Sequence, residues 1–400
     1  MAKEKVELLN ELKNGISQFT LVGKASVKAD SLKGALVKEG KKWFHVDSSF
    51  GVDTGNKNIV YGRVWDGYLL NKASVNRNSK VFEDGRFDIP WEDRFNEEII
   101  EKVSGRDLYY AGLERDENGK IITKKFISGI DFEEYLSEHL SDGAKVRVRG
   151  DVEYSPYEDK VSKRYSIKAV YLAEDYEKDG ETISQKEEAT IRQTYILTED
   201  SLARGWEKEL DKDGRTIVSA KVPQYLSQIK SGDKYVPYKK TTPLTQAIII
   251  EAGAEGKEAS RKKIIEKFFK VKKEKVREIV LDVSINEGYS QSTGVEINAE
   301  MRELIELGVF SEEDIEKQVT IRGSKVSELI YMNPALKMEE GAQPTVMVDD
   351  AKYSMDALII PKIPTVDGVD DTKVDNYFED DKGTEKTLDD DAFAAMFGAD

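Results

Sequence analysis

Residues 131–172 read DFEEYLSEHLSDGAKVRVRGDVEYSPYEDKVSKRYSIKAVYL, and this stretch decides the fold. Its first part, Asp131–Leu140, has the apolar spacing of a helix. The inward side of that helix consists of Phe132, Tyr135, Leu136 and Leu140. Two segments of alternating apolar residues follow, Lys145–Tyr154 and Ser162–Leu172, and both are typical of β-strands. A helix followed by a closing pair of strands predicts a small, partly closed barrel.

The chain before this stretch supplies the other strands of the barrel. Candidate strands are Thr20–Lys28, Trp43–Phe50, Asn58–Tyr68, Asp107–Arg115 and Lys120–Ile127. A turn at Asp116–Gly119 joins the last two as a hairpin. Residues 3–16 have the apolar spacing of a short leading helix. We therefore assign residues 1–173 to a first domain.

A second domain is expected after a polar linker at 174–189, and we assign it to residues 190–364. Its predicted strands are Ile191–Leu197, Thr216–Val222, Thr245–Glu251 and Val276–Ile285, with a basic helix at Ser260–Lys270. A weak internal repeat supports two related domains. Val146–Gly150 (VRVRG) resembles Val319–Gly323 (VTIRG), and the segment around Tyr165 resembles the one around Tyr353.

Composition excludes several classes of function. The chain has no Cys, so disulfides, zinc–thiolate sites and cysteine nucleophiles are excluded. It has only two His, His45 and His139, far apart in sequence. No P-loop, nucleophile elbow or HExxH motif is present. We therefore expect no enzyme activity, no metal and no cofactor. The N-terminus is charged and no long apolar run exists, so neither a signal peptide nor a membrane span is expected.

The net charge of −16 is unevenly distributed. Residues 1–173 have a net charge of zero, residues 174–364 of −7, and residues 365–400 of −9. Such an acidic, polar terminus is expected to be disordered. It ends in an acidic run and three apolar residues with one-turn helical spacing, namely Asp389, Asp390, Asp391, Phe393, Met396 and Phe397. A docking peptide for a partner protein explains this end, and a solvated tail is the alternative.

One predicted strand combines aromatic and cationic side chains. Along Asn58–Tyr68, alternation puts Tyr61, Arg63 and Trp65 on the face opposite the valines. Bases stack on aromatic rings, and guanidinium groups pair with phosphate. The face therefore favours single-stranded nucleic acid, and we add Trp43 from the preceding strand. The alternative is that these rings pack under a loop or form the core.

Further cations extend this interpretation. The strand Lys145–Tyr154 and its partner present alternating charges, and Tyr154 and Tyr157 are expected in the loop that joins them. Residues 72–95 are expected to form a long loop with more cations and aromatic rings. Lys124 and Lys125 on the hairpin of residues 107–127 add more charge. The candidate contacts from all these segments are Arg77, Lys80, Lys124, Lys125, Arg147, Arg149, Tyr154, Tyr157, Lys163, Arg164 and Lys168. Strand faces that contact only solvent also have charged residues at alternate positions. The alternative that these cations are simply solvated therefore stays open.

The order of strands and helix, the pair VRVRGDVEY and KRYSIKAVYLAE, and the terminus DDDAFAAMFGAD resemble single-stranded DNA-binding proteins of the bacteriophage or bacterial kind. The resemblance implies a mainly β chain with a few helices, built of two OB-like small barrels and a disordered acidic tail. It also implies largely sequence-independent binding of single-stranded DNA in replication or recombination. The tail would recruit replication or recombination proteins and occupy the DNA site when DNA is absent. Unlike the bacterial tails, this one continues past Phe397 to Asp400.

Two other functions remain open at this stage. One is a phage structural or assembly protein that does not bind nucleic acid, which the near-neutral body would suit. The other is an enzyme subunit with an OB domain, such as a nuclease or ligase subunit. We expect a cytoplasmic protein, in the cytoplasm of the bacterial host if a phage encodes it. The sequence does not decide between DNA and RNA, and it leaves self-association open.

Overall fold

The computed structural model describes most of the chain. The described residues are 8–37, 42–56, 58–79, 85–157, 160–173, 176–178, 181–208, 210–211, 214–231, 234–253, 256–289, 302, 305, 307, 325–338 and 342–359. The chain divides into two units, one of residues 1–286 with 328–362 and one of 287–327 with 363–400. In the second unit, the described part includes a hydrogen bond of 3.0 Å from Ser327 Oγ to Glu287 Oε1. The description below concerns the first unit, except for the ends of two strands, residues 287–289 and 325–327, which belong to the second unit.

The first half of the chain forms a closed barrel. Its strands are β1 (Ser17–Ser26), β2 (Leu36–Val37), β3 (Trp43–Asp53), β4 (Ile59–Leu69), β5 (Ser74–Asn78), β6 (Arg86–Pro90), β7 (Tyr109–Arg115), β8 (Ile121–Phe126), β9 (Lys145–Tyr157) and β10 (Lys160–Leu172). Its helices are α1 (Glu97–Lys102) and α2 (Gly129–His139). Antiparallel pairs join β1 to β3 and β9, β3 to β4, and β9 to β10. A parallel bridge from β10 to β4 closes the barrel. Each strand and the helix predicted between Thr20 and Leu172 is confirmed.

The second half repeats this topology. Its strands are β11 (Tyr176–Lys178), β12 (Glu181–Ile183), β13 (Glu188–Leu197), β14 (Thr216–Ser231), β15 (Lys234–Ile250), β16 (Arg277–Tyr289), β17 (Lys325–Pro334), β18 (Leu336–Lys337), β19 (Thr345–Val346) and β20 (Val348–Asp349), and its helix is α3 (Glu258–Phe268). β13 pairs with β14 and β16, and β14 pairs with β15. β15 pairs in parallel with β17, which neighbours β16. Both halves therefore have the strand–strand–strand–helix–strand–strand order of an OB-like barrel.

One β-sheet runs through both barrels. β1 pairs antiparallel with β13, and Phe19 lies opposite Ile191 in this pair. A single apolar cluster extends from Val148 in the first barrel to Leu281 in the second. The prediction of a mainly β chain with a few helices, arranged as two small barrels, is confirmed. The tail 365–400 lies outside the described residues.

The repeat seen in the sequence pairs the wrong segments. The counterpart of β10 is β17, whereas Tyr353 lies after β20 and forms an isolated bridge with Leu9. Residues 319–323 lie outside the described residues. The two barrels are thus related by their topology, and the match between the segments around Tyr165 and Tyr353 does not reflect it. Within the segment assigned as a linker, β11 and β12 form a hairpin.

The leading helix is also a wrong prediction for the part that is described. Residues 8–16 contain no helix. Leu9 instead exchanges backbone hydrogen bonds of 2.9 and 3.0 Å with Lys352 and Ser354, and Leu12 is buried beside Ile196. These long-range contacts replace the bonds of a helical turn. Residues 3–7 lie outside the described residues.

The predicted long loop 72–95 contains ordered elements. β5 and β6 pair as a hairpin, and Val75, Ile89 and Val103 form a separate small apolar core with neighbouring residues. The insertion therefore folds beside the barrel on its own core. Among the described residues, no helix has both the length and the apolar character needed to cross a lipid bilayer.

Candidate nucleic-acid interface

Two aromatic rings stand exposed on the outer face of the first barrel. Tyr61 and Trp65, four residues apart on β4, are 53% and 52% exposed. Between them in sequence, Gly62 and Val64 are buried, as the predicted alternation requires. Trp43, on β3, faces Trp65 with ring centroids 6.3 Å apart and planes inclined by 32°. We call Trp43, Tyr61 and Trp65 the aromatic strip.

The backbone of β3 shapes one end of this strip. Gly51 lies directly opposite Tyr61 in the β3–β4 pair. A Cβ atom at Gly51 would lie 3.2 Å from Cε1 of Tyr61 and 2.8 Å from Cγ2 of Ile59. Glycine is therefore the residue that leaves room for the Tyr61 ring at this position.

Arg63, which lies between Tyr61 and Trp65 on the same face, is paired within the protein. Its Nε and Nη2 each donate to one carboxylate oxygen of Asp47, at 2.5 Å. Asp47 stands on β3, opposite Trp65. The sequence predicted Arg63 on this face correctly but did not identify its partner. The centre of the strip therefore has one positive and one negative charge.

The hairpin between β9 and β10 borders the same face. A bridge pairs Ser166 of β10 with Arg63 of β4 in parallel. Arg164 and Tyr61 each lie two residues before that bridge, and both are exposed. Because parallel strands run the same way from their bridge, Arg164 continues the strip toward the tip of the hairpin.

Of the two hairpin tyrosines, Tyr154 differs from its prediction, and the prediction for Tyr157 is not tested. Tyr154 was expected in an exposed loop, but β9 continues through it and its side chain is buried. Burial also raises the pKa of its hydroxyl. Tyr154 is therefore a core residue, and its prediction as a stacking ring is wrong. Tyr157 ends β9, and its side chain lies outside the described part. Lys163 is on the same hairpin, and its ammonium lies 5.8 Å from the centre of the Tyr165 ring.

Two of the cations predicted to contact nucleic acid interact with groups within the protein instead. Arg77 donates to Asp66 through Nη2 and to the Ile127 carbonyl oxygen at 2.9 Å through Nε. The same Asp66 carboxylate accepts from the backbone N–H of Gly129, at the first turn of α2. The Lys168 ammonium lies 4.1 Å from the centre of the Tyr109 ring, and burial lowers its pKa. Arg77 is not positioned to contact a ligand at the strip.

The remaining cations are not brought to the strip. Lys124 pairs with Glu114, and Lys125 is its exposed neighbour on β8. Among the described strands, β8 pairs with β7 alone. Arg147 and Arg149 lie on β9, which is separated from β4 by β10. They are therefore not neighbours of Tyr61, and their role as nucleic-acid contacts stays a prediction. Lys80 and the tail residues Asp389, Asp390, Asp391, Phe393, Met396 and Phe397 lie outside the described residues.

The sequence did not identify one exposed tyrosine of the second barrel. Tyr225 lies on β14 and is 45% exposed. The predicted strand ended at Val222, although β14 continues to Ser231. Pro223 interrupts the apolar pattern there, and it lies opposite Pro243 of β15. Proline in a strand usually marks an edge or a bulge, so the pattern gave little sign of a long central hairpin. The signal that could have identified Tyr225 was the basic and hydroxyl-rich sequence on both sides of it.

Comparison with known proteins gives limited information. A family model described as YorF matches residues 125–288, which run from the end of β8 into β16. Among curated proteins, none matches the chain. Among solved structures, the chain is similar to a deletion mutant of the single-stranded DNA-binding protein from Thermus aquaticus. The identity is 9% and the TM-score 0.29, over 82% of this chain and 97% of that one. Because both values are low, this likeness carries no argument about the function of the chain.

Proposed function

We propose that the protein binds single-stranded DNA, largely without sequence preference, on the outer face of β3 and β4. The observation that supports this most is the exposure of Tyr61 and Trp65 on one face of β4. Neighbouring exposed rings that form one apolar patch are typical of a binding surface. Stacked bases are such a ligand, and each contributes roughly 1–3 kcal/mol.

The position of the strip within the barrel agrees with this function. β3 and β4 are the second and third strands of the five-stranded barrel, counting β1 as the first. In OB-folds, the face of these two strands binds oligonucleotides or oligosaccharides, together with the loops beside it. The β9–β10 hairpin, which carries Arg164, is one of those loops.

The ring geometry favours single strands over duplex. In a duplex the faces of the bases are covered by their neighbours, whereas a single strand can turn them toward protein rings. Every base has such a face, so stacking discriminates little between sequences. Arg63 is already paired with Asp47, and the first half has no net charge. We therefore expect binding that relies on stacking, with a shallow dependence on salt.

The test is a titration of the full chain with single-stranded oligothymidylate, followed by tryptophan fluorescence. Replacing Tyr61 and Trp65 together by Ala should weaken binding at least tenfold, because two stacking positions are lost. The matched control is Phe95→Ala, which removes a ring that is 60% exposed in the insertion. The proposal is wrong if wild-type protein does not bind, or if the double variant keeps full affinity and stability.

The wider role is also a proposal. We place this binding in DNA replication or recombination, in the cytoplasm and without enzyme activity. The tail 365–400, with 12 acidic and three basic residues, would recruit partner proteins and compete with DNA. Its support is the sequence alone. A titration that shows no binding to single-stranded or duplex DNA at low salt would favour the structural or assembly protein.

A further inference from the structure

An open groove lies between the two barrels, outside the aromatic strip. Ser155 and Arg164 of the β9–β10 hairpin line one side, and Gln224, Tyr225 and Gln228 of β14 line the other. Its cavity volume is about 310 Å³. This volume is near the lower end of the range of about 300–1,000 Å³ for small-molecule pockets. The groove therefore has room for one nucleotide.

Tyr225 is held in place at the edge of this groove. Its backbone N–H donates to Oδ1 of Asn14, at 3.2 Å, and Gln224 Nε2 donates to its carbonyl oxygen at the same distance. The pairing of β14 with β15 shifts between Leu226 and Gln228, directly after Tyr225. Such irregularities bend a strand and redirect its side chains, often beside binding sites. The ring is therefore exposed on a backbone that is fixed.

The polar groups of the groove suit a base more than an isolated phosphate. Arg164 lies opposite Glu153 in the β9–β10 pair, so a positive and a negative side chain stand together. Glu153 accepts from Ser166 Oγ at 3.0 Å. The glutamine side chains on the β14 side have amide groups that both donate and accept. Base edges require this combination of donors and acceptors.

Arg164 connects the groove with the aromatic strip. Like Tyr61, it lies two residues before the parallel bridge between β10 and β4, and it also lines the groove. A single strand that stacks on Trp65 and Tyr61 would therefore pass Arg164 and reach Tyr225 next. Among the lining residues of the groove, Arg164 alone lies on a strand that pairs with β4 in the described structure.

From this geometry we infer that the groove is a second base-binding site, in which Tyr225 stacks on one base of a strand that continues from the aromatic strip past Arg164. The inference rests on the proposed function, because it needs single-stranded DNA on β3 and β4. It predicts that the bound strand spans both barrels at this junction. Short oligonucleotides would occupy the strip alone, and longer ones would reach the groove.

The experiment compares two lengths of oligothymidylate, about 6 and about 20 nucleotides, chosen around the usual site size of one barrel. Tyr225→Ala should weaken binding of the longer strand about tenfold and leave the shorter one unchanged. Tyr225→Phe keeps the ring and should restore binding. Phe95→Ala is the control for loss of an exposed ring. If Tyr225→Ala loses affinity equally for both lengths, or loses none for either, the inference of a second site is wrong.

A photocrosslink provides an independent measurement. Strands with 5-iodouracil at successive positions should crosslink to the peptide containing Tyr225 only near one end of the longer strand. If crosslinks form at the strip and none form at Tyr225, the inference is wrong. The proposed function would still stand in that case. If neither length binds the wild-type chain, the proposed function itself is wrong, so the two failures are distinguishable.

Discussion

Arg63 donates to both carboxylate oxygens of Asp47 on the neighbouring strand, between the exposed rings of Tyr61 and Trp65. This pair removes from the strip the charge that would attract phosphate. Both side chains are partly exposed, so the pair itself contributes little to stability. Its main consequence is for the ligand, since a carboxylate stands where a DNA backbone would approach.

Removing that carboxylate should therefore tighten DNA binding. Asp47→Asn releases the Arg63 guanidinium and deletes one negative charge. We expect affinity to rise several-fold at low salt and the dependence of log K on log salt to steepen by about one. The measurement is the same fluorescence titration at several salt concentrations. Asp88→Asn, on the insertion beside Asn76, makes the same change in net charge away from the strip. An equal gain in both variants would attribute the effect to net charge alone.

Gly51→Ala tests whether the backbone under Tyr61 positions its ring. The new methyl group would lie 3.2 Å from the ring and 2.8 Å from Cγ2 of Ile59, so both side chains must shift. We expect a loss of DNA affinity of several-fold, with a smaller loss of thermal stability. The control is the same substitution in a Tyr61→Ala background, where it should cost no further affinity. An additive loss would show that Gly51 acts independently of Tyr61.

The sequence predicted the barrels well because their strands alternate cleanly. On β4, each inward residue from Val60 to Asp66 is buried, and the outward face is the one that the pattern assigned. Local alternation specifies which face a residue occupies. It does not specify which carboxylate lies opposite an arginine, so the partner of Arg63 was missed.

Predictions from charge alone were less successful. Arg77 and Lys168 looked like ligand contacts, but each is held against groups that are distant in sequence, Asp66 and Tyr109. Tyr154 was predicted in a loop over residues 154–157, yet β9 continues past that position. Such errors arise because tertiary contacts and the length of a hairpin decide the surroundings of these residues. Neither composition nor periodicity specifies these two features. Tyr225 was missed for the same reason.

Arg77→Ala should destabilise the protein without weakening DNA binding of the folded chain. Arg77 and Asp66 have only 13% and 12% of their side chains exposed, so the substitution leaves a nearly buried carboxylate without its arginine. We expect a loss of about 3 kcal/mol in the free energy of unfolding. Urea unfolding measures it, and Arg86→Ala, on the neighbouring strand β6, is the control for an exposed arginine. Weaker DNA binding by fully folded Arg77→Ala would restore Arg77 as a contact.

Asp350 should contribute stability that depends on pH. Hydrogen bonds from Arg277 hold the pKa of the Asp350 carboxyl below its ordinary value of 3.8. Since the folded state favours the charged form, the contribution is present above that value and is lost as the pH falls through the lowered pKa. Asp350→Asn should therefore be less stable than wild type at neutral pH and converge with it in strong acid. The effect is small because the carboxylate is more than half exposed. Urea unfolding across this pH range, with Asp30→Asn on a surface turn as control, measures it. A constant difference at all pH values would contradict the assignment.

Deleting residues 365–400 should tighten DNA binding at low salt, if the tail competes with DNA as proposed. The deletion removes a net charge of −9 from the chain. Screening shortens from about 10 Å at 0.1 M salt to about 3 Å at 1 M, so the gain should shrink as salt rises. Replacing Asp389, Asp390 and Asp391 by Asn keeps the length of the tail and tests its acidic end separately. Equal affinity of the truncated and full chains at every salt concentration would remove the autoinhibitory role and leave the binding proposal intact. A gain that persists unchanged at 1 M salt would mean that the tail blocks the strip through its apolar end, Phe393 to Phe397, and not through its charge.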